Sequence, residues 1–106
     1  MNPRRRQLVF RALTEAAQAG ERCPRNMDLA AYLNRHGIEA AGSGMAGIVT
    51  GLALDGEIEV RIYGQLWRQV TICRGPLAGN STAPPTHTGK SHLLINKDGR
   101  QSIGWG

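Results

Sequence analysis

Residues 52–73, LALDGEIEVRIYGQLWRQVTIC, constrain this chain more than any other stretch, because the apolar period changes at Asp55-Gly56. Before it, Met45, Ile48, Val49 and Leu52 recur every three or four residues and line one side of a helix. After it, Ile58, Val60 and Ile62 alternate with Glu57, Glu59, Arg61 and Tyr63, the pattern of a half-buried strand. Val70 and Ile72 are the natural inward positions of a return strand. Pairing inward residues sets Val60 opposite Val70, Ile58 opposite Ile72 and Tyr63 opposite Trp67. Gly64-Gln65-Leu66 is then the loop. A two-residue Gly64-Gln65 turn pairs Val60 with Gln69 and exposes half of the apolar set, so the odd-length loop is preferred. Tyr63, Trp67, Arg61 and Gln69 then share the outer face.

Upstream, PRRRQLVFRALTEAAQA (residues 3–19) reads as a first helix with Pro3 in its first turn. Val9, Phe10, Leu13, Ala16 and Ala17 form its apolar stripe, and Gly20 suits a left-handed cap. Asn26 is a candidate N-cap for a second helix over about Met27–His36, with Asp28 in its first turn and Gly37 as its stop. Leu29, Ala30 and Leu33 face inward. Ser43 is a candidate cap for the third helix, which runs to about Leu54. Gly44, Gly47 and Gly51 weaken that helix by roughly 1 kcal/mol each relative to Ala. Close packing of two helices or close approach to a DNA backbone would each account for them.

From Arg74 the composition changes. RGPLAGNSTAPPTHTGK is rich in Gly, Pro, Ser and Thr and predicts a flexible tail. Within it, LLIN and QSIGW flank a KDG turn signal and suit a small hairpin over 92–105, which needs something to dock on. The chain therefore divides into a domain over 1–74 and a tail over 75–106.

The net charge of +5 favours an anionic partner. No apolar run reaches membrane-spanning length, and no secretory apolar core follows Met1. Cys23 and Cys73 have no metal-type neighbours, and His36, His87 and His92 keep no metal spacing with them. Reduced thiols and a cytoplasmic setting are expected. No acid pair, nucleophile–base pair or phosphate loop stands out, so neither an enzyme, a cofactor nor a small-molecule ligand is expected.

Three helices followed by a two-stranded hairpin is the order of a winged helix-turn-helix, an α+β fold. G-x-x-C-P-x-N-x-x-L-A-x-x-L over Gly20–Leu33 and I-V-x-x-L-x-x-x-G-x-I-x-V over Ile48–Val60 resemble the DNA-binding domain of the LexA repressor family and of small bacterial winged-helix regulators. The likeness spans about residues 4–74. It implies sequence-specific binding of double-stranded DNA and transcriptional repression. The sequence shows no counterpart of the family's self-cleavage domain, so that mode of regulation is not expected to carry over.

Carried onto this chain, the resemblance makes Ser43, Gly44, Ala46, Gly47 and Thr50 the reading face of the third helix. Ser43 and Thr50 can hydrogen-bond base edges or phosphate, and Ala46 can meet a thymine methyl. The face has no Arg, Asn or Gln for a bidentate base contact, so discrimination from it is modest. Arg4, Arg5 and Arg6 are candidate phosphate or minor-groove contacts at a helix start where cations are mildly unfavourable. Arg22, Arg25 and Asn26 at the second helix start, and Arg61 and Arg68 on the hairpin, or wing, are further candidate DNA contacts. Tyr63 and Trp67 stiffen the wing or form an interface. Lys90, Lys97 and Arg100 offer diffuse attraction or are simply solvated. A homodimer on a two-fold site suits so small a domain. The competing expectation is a protein-interaction module using the Tyr63/Trp67 face and the second hairpin. Single-strand or RNA binding is disfavoured by the scarcity of aromatics.

Overall fold

The computed structural model describes residues 3–64, 67–85 and 92–103. Gln65 and Leu66 of the expected hairpin loop, His87 and Lys90, and Gly104-Trp105 of the second hairpin lie outside them. The architecture is α+β: three helices packed on a four-stranded antiparallel sheet. In chain order the elements are α1 (Pro3–Ala19), α2 (Asn26–Arg35), a 3₁₀ turn (Gly42–Gly44), α3 (Met45–Leu54), β1 (Ile58–Tyr63), β2 (Trp67–Ile72), β3 (His92–Asn96) and β4 (Gly99–Ile103).

The period change at Asp55-Gly56 is a helix end turning into a strand. Gly56 takes φ of +79°, where a Cβ would be strained. Its N–H donates to the Ala53 carbonyl at 3.0 Å, and the Glu57 N–H donates to the Leu52 carbonyl at 3.0 Å. This closes the last carbonyls of α3 and releases the chain as β1. Gly20 ends α1 in the same way.

The apolar stripes meet in one core. Val9 and Leu13 of α1, Leu29 and Leu33 of α2, Met45 and Leu52 of α3, and Ile58, Val60, Val70 and Ile72 of the hairpin are buried together. The register joins Ile58 to Ile72, Val60 to Val70 and Tyr63 to Trp67, as the inward pattern requires.

Three expectations need correction. First, Asn26 does not cap α2: it is the first helical residue, and the extended residue before it is Arg25. The Asp28 carboxylate accepts the Arg25 N–H at 3.1 Å, while the Asn26 side chain turns to Arg68. Second, Ser43 does not cap α3 with its side chain. The chain enters that helix through the 3₁₀ turn, which tightens the entry without a side-chain acceptor. Third, 75–106 is not one flexible tail. Residues 79–82 hydrogen-bond along the open side of β2, with Thr82 only 1% exposed. His92–Asn96 pairs with β1 in the register Val60 to Ile95 and Ile62 to Leu93, giving the order β2-β1-β3-β4. The free edges of the first hairpin provide what a composition count omits: unpaired main-chain groups needing partners. Ile95, buried on the inner face, adds about 1.5–3 kcal/mol of apolar burial.

Candidate nucleic-acid interface

Once α2, α3 and the first hairpin are in place, a cleft of about 370 Å³ opens where they converge. Its walls are Arg22–Asn26 from the end of the α1–α2 connector and the start of α2, Ala46 from α3, and Ile62, Trp67 and Arg68 from the hairpin. Three of these residues are arginines, and none is a carboxylate.

Strand parity explains Arg68. It faces Ile62 across the hairpin, so it projects to the inner side with the core residues, not to the outer face with Arg61 and Tyr63. There it ties β2 to the connector. Its Nη2 donates to the Pro24 carbonyl at 2.6 Å, its Nη1 to Asn26 Oδ1 at 3.0 Å and its Nε to Cys23 Sγ at 3.3 Å. All three acceptors are neutral, so the guanidinium's positive charge remains at the cleft wall. Arg25 is exposed, and its main-chain N–H and carbonyl bond at the start of α2. The Arg22 guanidinium lies 4.1 Å from the centre of the Trp67 ring. Trp67 Nε1 donates to the Ala83 carbonyl at 3.1 Å, and the Ala83 N–H donates to the Glu21 carbonyl at 2.8 Å. The linker thus braces the ring against the connector. Burial pushes the Cys23 thiol up, and the pull of Arg68 and Arg22 in the other direction is smaller.

Beside the cleft runs the outer face of α3. Ser43, Gly44, Ala46 and Gly47 are exposed and Thr50 is half-buried. A Cβ built at Gly44, Gly47 or Gly51 meets nothing within 4 Å. Helix packing within this chain therefore does not require those glycines, which sets aside one of the two accounts of them. Met27, 79% exposed, lies against Gly42 of the 3₁₀ turn that leads into α3.

The arginines at the start of α1 have a different setting. Arg6 bonds the Glu57 carboxylate at 2.9 Å and also the Asp55 carboxylate. These partners raise its pKa, Glu57 contributing most. Arg5 Nη2 donates to the Glu39 carbonyl at 2.6 Å, and Arg4 reaches the His36 carbonyl at 3.4 Å. All three fasten α1 to loops beside it. Arg61 lies 3.7 Å from Glu59 on the outer face of the sheet. The Tyr63 and His92 rings meet at 4.5 Å between centres with their planes tilted by 31°, so both hairpin aromatics have partners within the chain. The structure thus gathers Arg22, Arg25, Asn26, Ala46, Trp67 and Arg68 at one cleft and sends Arg4, Arg5, Arg6 and Arg61 elsewhere.

Cys23, Pro24 and Ile62 line this cleft but were not expected there. Ile62 and the inward turn of Arg68 were implicit in the hairpin register. Met27 carries no sequence signal of its exposure. Among the described residues, no group of three His, Cys, Asp or Glu is placed to hold a metal. No helix among them is long and apolar enough to cross a membrane. Compared with known proteins, the chain matches no family model, no curated protein and no solved structure.

Proposed function

We propose that this protein binds double-stranded DNA as a winged-helix transcriptional regulator, acting as a repressor. In this reading α2 and α3 form the helix-turn-helix and the β1–β2 hairpin is the wing. The observation that carries it is the cleft between them, lined by Arg22, Arg25 and Arg68 and by no carboxylate. A phosphodiester strand crossing there meets the guanidiniums of Arg25 and Arg68 and the positive end of α2. The small outer face of α3 lets its backbone approach the groove closely. Ser43 and Thr50 are the side chains that reach bases or phosphate. Arg, Asn and Gln are absent from that face, so base discrimination is modest and DNA shape carries much of the preference.

The competing protein-interaction module draws less support, because Tyr63 and Trp67 are engaged with His92, Arg22 and Ala83 inside the chain. Fluorescence anisotropy on a mixed-sequence duplex over a range of salt tests the DNA reading. Affinity should fall with a log–log slope of roughly −2 to −3, as two or three phosphates release counterions. Absent or salt-independent binding removes the proposal.

A further inference from the structure

We infer that β4 is a self-association edge: two copies pair their Gly99–Ile103 strands antiparallel about a two-fold axis and join two four-stranded sheets into one. This goes beyond the DNA reading and does not rest on it.

Main-chain direction alternates along each strand, so a few hydrogen bonds fix the pattern for the whole sheet. The Cys73 N–H donates to the Glu57 carbonyl at 3.0 Å, which turns the odd-numbered residues of β1 toward β2. On β2 the even-numbered residues then point outward, and that edge is closed. The Ile72 N–H donates to the Asn80 carbonyl at 2.8 Å and the Gly79 N–H to the Ile72 carbonyl at 2.7 Å. The Thr82 N–H donates to the Val70 carbonyl at 2.9 Å, and Thr82 Oγ accepts the Val70 N–H at 2.9 Å.

Followed the other way, the alternation joins Val60 and Ile62 to Ile95 and Leu93, and Leu94 to Gln101. Arg100 and Ser102 are left with their N–H and carbonyl groups pointing out of the sheet. Arg100, Gln101 and Ser102 are exposed, and among the described residues nothing bonds to that edge. Among the described residues two of the usual protections, a bulge and a proline, are missing from it. The β3–β4 register runs without a bulge, and the strand holds no proline and a single charge.

The occupant follows from the strand's own pattern. Only outward-pointing residues can bond across the axis. Centring on Gln101 sets Arg100 opposite Ser102 of the second copy and Ser102 opposite its Arg100, so both outward residues bond on each side. It also brings the two Gln101 side chains together. Centring on Arg100 places like charges face to face, which is destabilising. Centring on Ser102 sets Arg100 opposite Gly104, outside the described residues. The strand is thus complementary to itself with Gln101 on the axis. The closed β2 edge then stops the assembly at two copies.

The test uses the full chain. Sedimentation velocity across a concentration series should show a monomer–dimer equilibrium without higher species. Ser102→Pro removes an outward N–H that the monomer does not use, so folding by circular dichroism should persist. Its dissociation constant should rise about tenfold or more. In a Cys73→Ser background, Gln101→Cys should oxidise to a covalent dimer, because facing residues of a non-bonded pair lie about 4.5 Å apart at Cα. Ser102→Cys should cross-link far less. A monomer at all concentrations, a dimer indifferent to Ser102→Pro, equal cross-linking at both positions or open-ended oligomers would each overturn the inference.

Discussion

Arg4–Arg6 and Arg22, Arg25 and Arg68 are two arginine groups of equal formal charge with different fates. The first opens α1 as a run of three and has the stronger appearance of a nucleic-acid arm in the sequence. In the structure it lies away from the cleft and ties α1 to its neighbours. Arg6 joins α1 to the carboxylates at the end of α3 and the start of β1, and Arg4 and Arg5 hold main-chain carbonyls of the segment after α2. The second group is scattered over more than forty positions and converges on one cleft without a carboxylate in its lining. Charge in a sequence therefore says little about charge offered to a partner. What matters is where folding carries each group: Arg6 to the Asp55 and Glu57 carboxylates, Arg25 and Arg68 to the cleft wall.

The largest effect should come from the cleft. Arg25→Gln combined with Arg68→Gln should weaken duplex binding by roughly a hundredfold at low salt, since hydrogen bonds to charged groups contribute about 1.5–3 kcal/mol each. The salt slope should flatten by about two. Anisotropy reads both, and an unchanged slope would break the comparison.

Arg6→Gln probes the other group. It leaves Asp55 without its partner and Glu57 with Arg74 alone, and should lower stability by about 1 kcal/mol, a figure discounted for partial exposure. Urea unfolding measures that loss. Duplex affinity of the folded variant should stay at the parent value.

Gly47→Ala separates folding from binding. Its methyl enters open space, so the helix should gain somewhat less than about 1 kcal/mol. Duplex affinity should nevertheless drop, because the methyl stands between α3 and the groove. Equal affinity would remove α3 from the interface.

The smallest effect concerns the thiols. Burial pushes both Cys23 and Cys73 up, yet only Cys73 is exposed. At neutral pH maleimide should label Cys73 first and Cys23 slowly. The folded chain holds the Cys23 proton to higher pH than the unfolded chain does. Its contribution to stability is therefore complete below the ordinary thiol range and is lost as pH climbs through the raised value.

Much of the fold was legible because it rests on local periodicity. The α1 and α3 stripes, the Gly20 and Gly56 ends and the Val60–Val70 register follow from spacing alone. The order of 75–83 was not legible, because its polar residues are held by β2's main chain and not by apolar burial of their own. The docking of β3 on β1 depends on contacts 29 to 35 positions apart. The cleft was half legible: Arg22, Arg25 and Asn26 stand together in the sequence, whereas the inward turn of Arg68 follows only from the strand register.

The central claim is that a duplex lies across the cleft and not against the start of α1. Amide chemical-shift mapping on the folded chain, titrated with a mixed-sequence duplex, tests it most directly. The account predicts the largest shifts at Arg22–Asn26, Ala46–Thr50 and Trp67–Arg68, with Arg4–Arg6 nearly still. Shifts concentrated at Arg4–Arg6, with the cleft silent, would contradict it.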